Sequence, residues 1–164
     1  MLSVGYDDDG DITTNEGPYN SLSTSIFKTG PGSFRSEVRQ YADASPGSRS
    51  EISYSGLDPD EGVYEYDVYY ENWKTFADGG HTIQWQPAGG GGAVLSLQNY
   101  GGKFVVVRSI NGINSYGPGT GKPVTANKWY HLRWEIKWAN NEKGYIKLYI
   151  DNKLYILFIY RRYY

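Results

Sequence analysis

Residues 129–138 read WYHLRWEIKW. Tyr130, Leu132, Trp134, Ile136 and Trp138 alternate with Trp129, His131, Arg133, Glu135 and Lys137. A strict side-chain period of two belongs to a β-strand with one face on a core and the other in water. The pattern returns at 145–150, where Ile146, Leu148 and Ile150 point one way. Asp151-Asn152 follows and reads as a two-residue hairpin turn, because both residue types tolerate positive φ. Residues 154–160 form the return strand. Working toward the N-terminus, strands are expected at 103–109 and 94–98 around the hairpin signature Asn99-Tyr100-Gly101-Gly102. A short strand at 81–86 places Ile83 and Trp85 on one face and Thr82, Gln84 and Gln86 on the other. Further strands are expected at 63–70, 49–55, 34–41 and 21–29, separated by turns at 57–61 and at 43–48 with its Pro46-Gly47. Residues 110–127, rich in Gly, Pro, Asn and Ser, read as a long loop.

No segment carries a helical period over three turns, and no internal repeat suggests a propeller. The expected fold is therefore all-β, an antiparallel β-sandwich or jelly roll. Residues 1–20 read as a polar arm or linker and 21–164 as a single domain. Composition agrees. The 164 residues include 17 Tyr, 5 Trp and 5 Phe, with 21 Gly and a single Met. Aromatic residues favour strands and glycine favours turns. Tyrosine and tryptophan also suit a sugar-binding face, although β-sandwich cores bury aromatic rings as well.

Several functions are excluded or disfavoured. The chain has no cysteine, which removes zinc ribbons, thiol nucleophiles and disulfide scaffolds. With His81 and His131 its two histidines, a histidine-rich metal site is excluded. His131 stands on the polar face of a regular strand and reads as structural or solvated. A net charge of −2 argues against a nucleic-acid partner. No stretch reaches the ~18 apolar residues of a spanning helix, so no membrane partner is expected. The sequences of serine hydrolases, phosphate loops, zinc proteases and dinucleotide folds are missing. Asp7-Asp8-Asp9-Gly10-Asp11 has the acids of a calcium loop but neither its glycine spacing nor its distant Glu. No cofactor is expected, and calcium is the one candidate. No signal peptide opens the chain, so the protein is expected to be cytosolic or to have lost its leader.

One constellation points to chemistry. In Arg49-Ser50-Glu51 and in Gln84-Trp85-Gln86 the outer residues of each triplet share a face. A guanidinium and an amide on one sheet face suit a carboxylate ligand. An ordinary surface pair of Arg49 and Glu51 is the alternative. His81 opens a strand directly after Gly79-Gly80 and is a candidate ligand contact.

Ser48-Arg49-Ser50-Glu51 is followed by Gly62-Val63-Tyr64-Glu65-Tyr66 and Ile83-Gln84-Trp85-Gln86. Later come Asn127-Lys128-Trp129-Tyr130-His131, Ile136-Lys137-Trp138 and the segment from Gly144 to Asn152. In order and spacing these resemble polysaccharide lyases of the heparin lyase I and glucuronan lyase type, akin to alginate lyases with Arg-Ser-Glu and Gln-x-His motifs. The resemblance covers about residues 30 to 160 and implies a concanavalin A-like β-jelly roll whose concave sheet binds an acidic polysaccharide outside the cell. It implies that Arg49 and Gln84 neutralise a uronate carboxylate and that Glu51 orients Arg49. Gln86 stands where the family has histidine. Phe158-Ile159-Tyr160-Arg161 looks like the family's tyrosine segment without its glycine, and the stretch before it is shorter. Tyr149 and Tyr160 are the candidate acid/base groups, with Lys147 to hold the base ionised. The expected function is β-elimination on a uronic-acid polysaccharide by a monomer. A non-catalytic carbohydrate-binding module is the alternative, and a structural or adhesive surface domain is a third.

Overall fold

The computed structural model describes residues 20–36, 60–71, 80–86, 93–110, 113–116, 121–139 and 142–159. Arg49, Glu51, Tyr160, the acidic run at 7–11 and the strand expected at 49–55 lie outside them. Among the described residues there is no helix, and every strand pairing is antiparallel.

The chain divides between Pro59 and Asp60. In the first unit, β1 (Asn20–Ser23) pairs with β2 (Ser33–Ser36). The second unit contains β3 (Glu61–Tyr69), β4 (Gly80–Trp85), β5 (Leu95–Tyr100), β6 (Lys103–Ile110), β7 (Ile113–Tyr116), β8 (Lys122–Pro123), β9 (Trp129–Lys137), β10 (Tyr145–Ile150) and β11 (Lys153–Ile159). They form a four-stranded sheet in the order β11-β10-β9-β3 and a five-stranded sheet in the order β4-β5-β6-β7, with β8 on β6.

The alternation of β9 becomes the core. Tyr130, Leu132, Trp134 and Ile136 are all buried, and Leu148 and Ile146 of β10 stand opposite Trp134 and Ile136 in register. From the other sheet come Leu95, Leu97, Phe104 and Val106. Rings join the layers: Trp85 lies 4.9 Å from Trp134, and Phe104 lies edge-on to Tyr130 at 5.2 Å. Such edge contacts add to what burial of the same area contributes. β5 and β6 are also buried on the side away from this core, at Ser96, Val105 and Val107. That explains the unbroken apolar run Phe104-Val105-Val106-Val107.

The turns follow their residue types. Asp151 and Asn152 have φ of 52° and 62°, and Gly101 and Gly102 have 57° and 74°. Two successive left-handed residues match the twist of the strands they join. The long loop expected at 110–127 is corrected, since β7 and β8 both fall within it. These strands are too short to show a period and are held by their partners. The Tyr155 hydroxyl, for example, accepts from the backbone N–H of Gly121 and of Lys122.

Candidate active site

β4 carries Gln84, and its register decides what stands beside it. Trp85, Gln84 and Ile83 pair in order with Leu95, Ser96 and Leu97, but His81 pairs with Gln98. Two steps along β4 match one along β5, so Thr82 is the extra residue of a β-bulge. Thr82 Oγ1 lies 2.7 Å from the hydroxyl of Tyr70, a core residue, and neighbouring Ile83 also packs on the core. Two successive residues therefore face the same way. This corrects the expectation that Thr82 shares the face of Gln84.

Gln84, between Ile83 and Trp85, takes the opposite side of the sheet. Register carries a row across it: Gln84, Ser96, Val107 and Tyr116. The next row is His81, Gln98 and Val105. Gln98 Nε2 donates to Ser96 Oγ at 3.4 Å, a long bond. Ser96 is buried, while Gln84 and Gln98 are half-buried. Gln86 follows the end of β4 and is exposed. Half-buried amides between valines offer directed donors with no charge of their own to neutralise. Ser96 and Gln98 were missed in the sequence. Their signal was present, because Ser96 and Gln98 alternate with Leu95, Leu97 and Asn99 next to the glutamine strand.

Lys147 and Tyr149 lie elsewhere. They alternate with buried Ile146, Leu148 and Ile150, so they stand on the outer side of the four-stranded sheet. The core separates that side from Gln84, so one sugar ring cannot touch both. The structure thus does not bring Tyr149 and Lys147 to Gln84, and alternation could not reveal this because it does not say to which sheet a strand belongs. Both residues are engaged where they are. Lys147 Nζ bonds Glu135 at 2.9 Å, and the Arg133 guanidinium sits 5.3 Å from the centre of the Tyr149 ring. The bond to Glu135 raises the Lys147 ammonium above its usual range, and the same bond pulls the Glu135 carboxyl down. Burial pushes the phenols of Tyr70, in the core, and Tyr66, packed against it, up.

Among the described residues, no group of three or more His, Cys, Asp or Glu is placed to hold a metal ion. No helix of the described residues is long and apolar enough to cross a membrane.

The model of the polysaccharide lyase family matches residues 8–161. The chain belongs to the polysaccharide lyase family. This lyase-family chain is also similar in fold to the endo-β-1,4-glucuronan lyase of the fungus Trichoderma reesei. The TM-score is 0.65 at 18% identity, over 87% of this chain and 67% of that one. No curated protein sequence matches the lyase-family chain.

Proposed function

We propose that this chain cleaves a uronic-acid polysaccharide by β-elimination, with the outer side of the five-stranded sheet as its active face. The observation that carries the reading is the half-buried amide of Gln84, set beside Ser96 and Gln98 in a member of the polysaccharide lyase family. The chemistry requires such a group. The proton at C5 of a uronate is weakly acidic while the adjacent carboxylate keeps its charge. Donors that bind this carboxylate stabilise the enolate-like state that forms as the proton leaves. Gln84 supplies a neutral N–H donor. Arg49 supplies a two-pronged cationic one, oriented by Glu51, on the strength of the Ser-Arg-Ser-Glu motif. Loss of the C5 proton then breaks the C4–O4 bond and leaves a C4=C5 double bond. Gln86, exposed beyond β4, contacts the polymer next to the reacting ring. Tyr160 is the remaining tyrosine candidate for protonating the leaving oxygen. A polymer substrate of this kind is met outside the cell, so the reading includes secretion.

The test is ultraviolet absorbance of the unsaturated product on a panel of polyuronates. β-1,4-Glucuronan, named for the similar fungal enzyme, is the first to try. A product with at least one polyuronate and none with neutral glucans is expected. Binding without any unsaturated product would instead make the chain a carbohydrate-binding module, the reading favoured by Gln86 in the histidine position.

A further inference from the structure

Ser96 has polar neighbours in two directions on the outer side of the five-stranded sheet. Along β5 it is two residues from Gln98, whose Nε2 donates to its Oγ at 3.4 Å. Across the sheet it is the register partner of Gln84 on β4 and of Val107 on β6. Ser96 is 3% exposed, so its hydroxyl has almost no access to water. A serine hydroxyl has one proton to give besides the lone pairs it offers. Accepting from Gln98 leaves that proton to be placed, and a buried donor without an acceptor is costly. Of the two side chains directly across from Ser96, Val107 cannot accept and the amide oxygen of Gln84 can. Residues opposed in an antiparallel pair have Cβ atoms ~5 Å apart, a gap that a glutamine side chain spans.

The amide of Gln84 can turn either its NH2 or its oxygen outward. The NH2 donates to a carboxylate, whereas the oxygen repels one. Two orientations of nearly equal shape thus differ fully in what they bind. A fixed donor to the oxygen selects the useful one.

We propose, resting on the β-elimination reading, that Ser96 is a positioning residue: its hydroxyl, aimed by Gln98, holds Oε1 of Gln84 so that the NH2 of Gln84 faces the uronate. The donors run from Gln98 Nε2 to Ser96 Oγ and from the Ser96 O–H to Gln84 Oε1. The second bond closes by rotation of the Gln84 side chain as substrate arrives, because catalytic hydrogen bonds tighten in the substrate complex. Ser96 does not touch the sugar and acts through Gln84 alone.

The test uses the full chain, the polyuronate that yields product, and Ser96→Ala made alone and together with Gln84→Ala. Alone, Ser96→Ala is expected to lower kcat by about tenfold, the scale of one hydrogen bond between uncharged groups. In the Gln84→Ala background it should change kcat by less than about twofold, since no amide is left to hold. An equal loss in both backgrounds would make Ser96 merely structural and overturn the proposal, as would wild-type kcat in Ser96→Ala alone. Should Ser96→Ala fail to fold, Ser96→Thr and Ser96→Val compare a hydroxyl with a methyl at one volume. A faster Ser96→Thr protein, by a factor that disappears with Gln84→Ala, supports the proposal, and equal rates overturn it. Wild-type kcat in Gln84→Ala would remove the amide, and Ser96 with it, while product formation kept the lyase reading. Absence of product from the wild type on every polyuronate would overturn that reading as well.

Discussion

On the outer side of the four-stranded sheet, acids and bases meet across strands. Lys137 bonds Glu61 at 2.7 Å, Arg133 and Lys147 both bond Glu135, and His131 lies between Glu65 and Asp67 at 3.1 and 3.0 Å. On the outer side of the five-stranded sheet, the described side chains in the rows through Gln84 and Gln98 are amides, a hydroxyl and valines. The strand geometry is the same on the two sides, and the use of charge is opposite. A cation whose charge is already matched by a neighbour has little left for a carboxylate ligand. The amide of Gln84 has no charge that a neighbour must match first. The denser display of charge is thus the poorer candidate for binding a polyanion.

The comparison depends on a common layer between the two faces, and removing that layer gives the largest expected effect. Trp134 is fully buried, touches Trp85 of the opposite sheet and donates from Nε1 to the Tyr66 hydroxyl at 3.3 Å. Trp134→Ala is expected to cost about 3–5 kcal/mol in denaturant melts. A loss below ~1 kcal/mol would mean that the sheets do not share this core.

Gln84→Ala sharpens the comparison from the amide side. Losing one donor to the enolate-like state is expected to lower kcat by ~10²-fold or more. Stability should change little, because the half-buried side chain leaves no packed cavity. Steady-state kinetics beside a thermal melt separates these outcomes. An unchanged kcat would remove the amide row from the active site.

The sequence made the architecture of β9 and β10 readable because their alternation is unbroken, and Asp151-Asn152 named its own turn. β7 and β8 were hidden because pairing with β6 holds them, which no local pattern reports. Two single-residue bulges were equally silent. One turns Thr82 to the core. The other, at Tyr155, lets Leu148 pair with Ile156 while Tyr149 pairs with Leu154. At the site, Gln84 was legible through its strand parity and motif. The company it keeps was not, because a bulge at Thr82 and a sheet assignment for β10 both had to be known first. That Lys147 and Tyr149 lie across the core from Gln84 was hidden for the second reason, and the register of His81 was unreadable for the first.

The smallest expected effect lies on the charged side. Glu135→Gln keeps the size of the side chain and removes the charge shared by Arg133 and Lys147. Near neutral pH the loss should be at most ~1 kcal/mol, since pairs at a solvated surface contribute little. Its pH dependence has a definite sign. The bond to Lys147 lowers the Glu135 carboxyl below its ordinary value. Its contribution is therefore fully present above the unfolded-state value and is lost as pH falls through the folded-state one. The stability difference between wild type and Glu135→Gln should be largest near neutrality and close in acid, as read from urea melts across the carboxylate range. Turnover should stay at the wild-type level, because the ion network stands across the core from Gln84. A difference that persists in acid would show that packing, not charge, is what Glu135 contributes. A fall in kcat would tie the charged side to the reaction and break the division between the two faces.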